Sequence, residues 1–137
     1  MPDVLVQTLD NDTVALDPEA LTGLRAALRG RLCLPGERGY DEARSLWNAM
    51  IDRAPALAVR CAGPSDVMQA VRFARSHRLL TCVRGGGHNI AGNAVCEGGL
   101  LIDLSLMKGV RVDPAARRAW VEPGATLGDL DRETQAH

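Results

Sequence analysis

The order of apolar and polar positions divides this chain into stretches of helical and extended period. Leu21, Leu24, Ala27 and Leu28 recur at helical spacing behind Asp17 and Pro18, a capping side chain followed by a first-turn proline, and Gly30 stops the run. A shorter helical pattern falls around Asp41–Met50, and Pro55 breaks it. Ala56–Arg60 reads as a strand and CAGPSD as a turn, with Ser65 at the cap or in the first turn of the next helix. Val67, Ala70, Val71 and Ala74 form that helix's apolar stripe, which ends near His77 and Arg78. Leu79–Arg84 is the following strand. The strand–helix–strand unit takes about thirty residues, the length of a crossover, so the strands at 56–60 and 79–84 are expected to run parallel. Leu100–Leu104, Val110–Asp113 and Arg118–Val121 read as three more strands, the last two joined through DPAARR. Thr126 caps a final helix, with Asp129 three residues on as the acidic partner of a capping box.

Less pattern marks the rest. Residues 1–17 read as a polar leader without assigned structure, and residues 31–54 open with turn residues before the short helix. The chain stops at His137 within its last helix, so an incomplete domain is expected.

Composition narrows the class. A chain of 137 residues that is 46% hydrophobic and 24% charged is globular and of one-domain size. The net charge of -1 argues against a nucleic-acid or anionic-membrane partner. Aromatic residues are only 3%, so no platform for stacking exposed bases is expected, and Trp47 and Trp120 are read as core anchors. The amino-terminal stretch has no apolar secretory core, and no apolar run is long enough to cross a bilayer. Cys33, Cys61, Cys82 and Cys96 show no zinc-type spacing. They read as reduced thiols, with no metal site and a cytoplasmic location.

One segment carries chemistry. After the strand at 79–84 comes GGGHNIAGNAVCEGG, with six glycines in fifteen residues and no hydrophobic period. Consecutive glycines permit left-handed backbone and bring amides close to a ligand with no Cβ in the way. Amides turned inward make an anion nest, and Arg84 adds a positive charge beside it. The expected ligand group is a pyrophosphate. The dinucleotide pattern GxGxxG fails, because Gly85 and Gly87 are followed by Ile90 rather than a third glycine. The P-loop pattern fails for want of Gly-Lys-Ser/Thr. On spacing alone, a flexible glycine-rich surface loop is an equal alternative.

Four blocks in order carry a resemblance. They are Val59–Pro64 with Ser65-Asp66-Val67 opening a helix, VRGGGHNIAG, GGLLIDLSLMKGVRVDP at 98–114, and WVEPGATLGDLD at 120–131. Together they resemble the start of the FAD-binding domain of the vanillyl-alcohol oxidase/PCMH flavoproteins, nearest the berberine-bridge-enzyme-like, or FAD-linked oxidase, branch. The resemblance implies an α+β PCMH-type fold, with a small βαβ subdomain followed by the start of a second mixed β-sheet. It divides the chain into a lead-in at 1–54 and the amino-terminal portion of the FAD-binding domain at 55–137.

The same resemblance implies the site. Gly85, Gly86, Gly87, His88 and Asn89 would contact the FAD diphosphate beside Arg84, and Gly92 would let the loop turn. His88 matches the family histidine that is often bonded to the flavin 8α-methyl carbon, and a neutral imidazole is a competent nucleophile for that carbon. Asp103 reads as a carboxylate capping the turn after its strand, and Leu104 and Met107 as core or flavin-side packing. Cys96 does not match the second covalent anchor of bicovalent members. No catalytic residue is assignable within the chain. The implied function is FAD-dependent oxidation of a small organic substrate, with reoxidation by dioxygen and with the missing carboxy-terminal region as partner. Two alternatives stand beside it: a non-catalytic nucleotide- or FAD-binding module, and a structural piece with no ligand.

Overall fold

The computed structural model describes residues 3–137. Twelve elements follow along the chain: β1 (Val4–Gln7), β2 (Thr13–Leu16), α1 (Pro18–Ala27), β3 (Arg31–Cys33), α2 (Tyr40–Arg44), β4 (Leu57–Arg60), α3 (Pro64–Ser76), β5 (Thr81–Arg84), β6 (Leu100–Asp103), β7 (Val110–Asp113), β8 (Arg118–Val121) and α4 (Leu127–Thr134). A mixed sheet of order β3-β4-β6-β5 forms the centre, and β1-β2 and β7-β8 are separate antiparallel hairpins.

The strands β4 and β5 run parallel, as the crossover length requires, but they are not neighbours. β6 lies between them and is parallel to both, with Ala58 and Cys82 each opposite Leu101. Its composition explains the place. All four residues of LLID are buried, the pattern of a strand covered on both faces, whereas TCVR is only partly buried and takes the edge. β3 closes the other side, antiparallel to β4.

Strand alternation sorts the core into two layers. Leu57, Val59, Leu100 and Ile102 face one cluster, completed by Leu21 and Leu24 of α1 and Ala70 and Ala74 of α3. Ala58, Leu101 and Cys82 face a second, smaller cluster with Tyr40, Ala43 and Val95. Met107 is buried in the first cluster and Leu104 packs against it, in line with their expected packing role.

The helix caps follow the sequence signals closely. Asp17 accepts from the Glu19 amide at 2.8 Å ahead of Pro18. Thr126 and Asp129 form a reciprocal capping box, with Thr126 N–H donating to Asp129 at 2.9 Å and Asp129 N–H to the Thr126 hydroxyl at 3.2 Å.

Three expectations change. The leader contains the β1-β2 hairpin, which docks on the end of α3 through Leu80 N–H to Gln7 and Leu9 N–H to Arg78 and buries Val6 and Leu16. The helical pattern of 41–50 yields only Tyr40–Arg44, because the chain beyond it turns along another loop. Neither tryptophan anchors the core. Trp47 is 79% exposed, and Trp120 lies on β8, whose four residues are all exposed, under the Arg111 guanidinium at 4.1 Å.

Candidate functional site

The three central strands end together. Arg60, Arg84 and Asp103 are the last residues of β4, β5 and β6, and they are paired in register. Asp103 is fully buried. Its Oδ2 accepts from Arg60 Nε and its Oδ1 from Arg84 Nη1, each at 3.1 Å. The same carboxylate accepts from the Ser105 amide and hydroxyl at 3.0 Å each, so it does cap the turn after its strand, and it neutralises two guanidiniums as well. Arg60 also reaches Glu42 at 2.7 Å. Burial works against the Arg60 charge, but Glu42 and then Asp103 more than offset it and raise its pKa. Composition and spacing gave no signal for this network, because its members come from three strands and α2.

Beyond Arg84 the backbone leaves the sheet as an irregular loop. Among the described residues, the amides of Gly85 through Ala91 donate to no protein acceptor. Seven successive N–H groups beside a sheet edge are thus left as donors available to an anion. Gly87 has φ +75°, and Gly92 has φ +74°, conformations that side-chain-bearing residues rarely adopt. Asn89 works on the loop itself. Its Oδ1 accepts from Asn93 N–H at 3.0 Å and its carbonyl from Gly92 N–H at 3.0 Å. The Arg84 side chain does not point into open space. Besides Asp103, it donates from Nε to the Ser45 carbonyl at 3.0 Å, so it braces the loop's base.

A second segment follows the loop along its length. Trp47 N–H donates to the Gly87 carbonyl at 3.1 Å. Ile51 occupies the space where a Gly92 side chain would stand. Arg53 Nη1 donates to the carbonyls of Gly92 and Val95 at 2.8 and 3.0 Å. The rings of Trp47 and His88 stack with centroids 5.2 Å apart and planes 27° apart. Trp47, Asn48, Ala49, His88, Asn89 and Ile90 line an open groove there. A larger open groove lies across β3 and β4, lined by Arg29, Arg31, Arg38 and Arg60 with Glu42. It offers arginine side chains, Arg60 already paired with Asp103 and Glu42, rather than a row of free amides, so the glycine loop is the better-built anion site.

Comparison with known proteins identifies the family. The family model described as an FAD binding domain matches residues 55–137. The chain belongs to the FAD-binding domain family. Its relatives are FAD-linked oxidoreductases and berberine-bridge-enzyme-like proteins. It is 36% identical over 107 residues to (R)-6-hydroxynicotine oxidase of Paenarthrobacter nicotinovorans, covering 78% of this chain and 23% of that protein. The crystal structure of 6-hydroxy-D-nicotine oxidase from Arthrobacter nicotinovorans superposes with a TM-score of 0.74 at 35% identity, over 80% of this chain and 24% of that one. The berberine-bridge-like protein 1 of Physcomitrella patens gives a TM-score of 0.75 at 28% identity, over 85% and 26%. The chain thus spans about a quarter of the length of the relatives it matches. The fold is the α+β, PCMH-type FAD-binding architecture of these proteins.

The residues of the glycine loop fit the diphosphate of FAD. The loop presents free amides and no side chain at 85–87. Cβ atoms added at Gly85 and Gly87 would press on Pro123 at 2.6 Å and on Arg84 at 3.2 Å, so the loop packs closely on its own surroundings only because these positions are glycine. Among the described residues, no group of three His, Cys, Asp or Glu side chains is placed to hold a metal ion. No helix among them is long and apolar enough to cross a membrane.

Proposed function

We propose that the protein carrying this chain is an FAD-dependent oxidoreductase in which residues 84–92 cradle the FAD diphosphate and His88 bonds to the flavin 8α carbon. The run of free amides from Gly85 to Ala91, in a chain of the FAD-binding domain family, is the observation that carries this reading. When bound, FAD supplies a two-electron acceptor that takes a hydride from a C–H bond of a small organic substrate and passes the electrons to dioxygen.

The chain's own residues have distinct tasks. Gly85, Gly86 and Gly87 offer amides to the diphosphate oxygens. Arg84 holds the base of the loop against Asp103 and leaves most charge compensation to the amides. Asn89 and Gly92 set the turn. His88 is exposed on the loop, its ring lining the groove beside Trp47. In attachment, one His88 nitrogen forms the bond to the 8α carbon. His88 would give up its N–H hydrogen and displace one 8α hydrogen, and dioxygen would take up both, with two electrons, as hydrogen peroxide. The substrate-facing groups and any general base belong to the remaining three quarters of a full-length relative, the partner this chain requires for turnover. Three buried, unbridged cysteines support a reducing, cytoplasmic setting. A nucleic-acid or membrane partner has no support in a chain of net charge -1.

Intact mass after acid denaturation, read beside the visible absorption spectrum, tests the proposal. A gain of one FAD with a flavin band that survives denaturation is expected, and His88→Ala should keep only dissociable flavin. Covalent flavin in His88→Ala would refute the anchor. An unmodified, colourless chain that binds ADP would instead favour a non-catalytic nucleotide-binding module.

A further inference from the structure

Trp47 is a large apolar side chain left 79% exposed, and its main chain is nevertheless held in place. Its backbone N–H is fixed to the carbonyl of Gly87, the residue before His88. The two residues ahead of it are also seated on the loop. Ser45 accepts from Arg84, and Leu46 lies 3.5 Å from where a Gly87 side chain would start. Main chain and ring of Trp47 are therefore registered on the same short stretch, and the ring lies on His88. None of this segment falls within the 55–137 span that defines the family match.

An exposed histidine on a glycine loop has several side-chain rotamers open to it. Stacking on an indole whose main chain is tied to Gly87 selects among them, and an aromatic pair of this kind is worth roughly a two- to tenfold bias. We propose that Trp47 is a positioning residue that holds the His88 imidazole in one orientation over the groove for bond formation with the flavin. The groove's chemistry agrees: Trp47 and the 90% exposed Ile90 give it an apolar side, which complements the apolar dimethylbenzene edge that carries the 8α carbon. The inference rests on the attachment reading above. The bond is the one already balanced there, with dioxygen as the oxidant, and Trp47 supplies no atom to it.

The test follows covalent incorporation in time. The full protein carrying this chain is prepared free of flavin under riboflavin limitation and mixed with FAD in air, and the flavin surviving acid denaturation is measured. Trp47→Ala should slow incorporation about tenfold, since small misplacements of a reacting group carry such costs. Trp47→Phe, which keeps a stacking face, should restore most of the rate, while both variants keep dissociable FAD. Incorporation by Trp47→Ala at the wild-type rate overturns the proposal, as does an equal loss in the Ala and Phe variants, which would mark a purely structural role. A second readout needs no flavin. The His88 ring protons should be shifted upfield by the indole in NMR spectra and should lose that shift in Trp47→Ala. Absence of the shift in wild type also overturns the proposal. A wild-type protein that forms no covalent flavin refutes the attachment reading itself, an outcome distinct from a wild-type protein that incorporates flavin regardless of Trp47.

Discussion

Asp103 holds Arg84 by a buried ion pair of 3.1 Å at the adjoining ends of two parallel strands. A second arginine, Arg60, sits on the other oxygen of the same carboxylate at the same distance. The glycine loop begins one residue beyond Arg84, so the pair fixes the point at which the run of seven free amides begins. The sequence places Arg84 beside a ligand; the tertiary structure turns its guanidinium back into the protein.

That arrangement makes Asp103 a brace for the whole strand end. Asp103→Asn should leave two guanidiniums facing a neutral group in a buried site and cost about 3 kcal/mol or more. Thermal unfolding and FAD titration together check it. A lowered melting temperature with weaker FAD uptake is expected, and an unchanged Asp103→Asn protein would show that the pairs carry no weight.

Two neighbouring glycines should respond differently to alanine. A Cβ at Gly85 would stand 2.6 Å from the Pro123 carbonyl oxygen, so Gly85→Ala forces the loop and the 123–124 turn apart and should lower the melting temperature. A Cβ at Gly86 meets only the His88 ring, at 3.0 Å. Gly86→Ala should melt close to wild type while changing the proportion of covalent flavin. Equal loss of stability in both would show that the loop is packed alike at the two positions.

Acid should weaken the junction of α1 with β3. Asp66, the buried third residue of α3, accepts amides from Arg29, Gly30 and Ala62 at 2.9, 2.8 and 2.8 Å. Burial pushes its carboxyl up, but those three amides win and hold it below the ordinary carboxylate value. The folded state therefore binds this proton less readily than the unfolded state. The contribution is complete above an unfolded value of about 3.9 and is lost as pH falls below it toward the lowered folded value. Asp66→Asn should flatten stability against pH in that window and cost about 1–3 kcal/mol near neutrality. Denaturant melts at a series of pH values decide it, and parallel curves for the two proteins would count against the assignment.

The thiols should label in a fixed order. Cys61 is pushed up to about 12, chiefly by burial, and burial also raises Cys33. Cys82 and Cys96 sit side by side, the Cys96 N–H donating to the Cys82 sulfur at 3.1 Å, and their mutual interaction raises Cys82 and lowers Cys96. Cys96 is also the least buried of the four. Iodoacetamide at mildly alkaline pH should modify Cys96 first, read by peptide mass. First labelling at Cys61 or Cys33 would contradict the burial described here.

Local signals were legible wherever one element supplied both partners. Asp17 before Pro18, and Thr126 with Asp129, each lie within a single turn, and both caps form as read. The hairpin of β7 and β8 was legible for the same reason, because its strands are joined by a short loop. The β1-β2 hairpin was not, since Val6 and Leu16 become core only when the hairpin docks against the end of α3. The tryptophans misled because size and apolarity imply burial only on average. Trp47 spends its ring on His88 and Trp120 on Arg111.

By itself the sequence determined the parallel crossover, the helix caps and the position of the glycine loop after a strand, because each depends on residues close together in the chain. Tertiary structure alone decided that β6 enters between β4 and β5, that Asp103 meets an arginine 43 residues away, and that Trp47 lies on His88. Those contacts arise from which strand can be buried on both faces and which loop then passes which, and no local period encodes that competition for the interior.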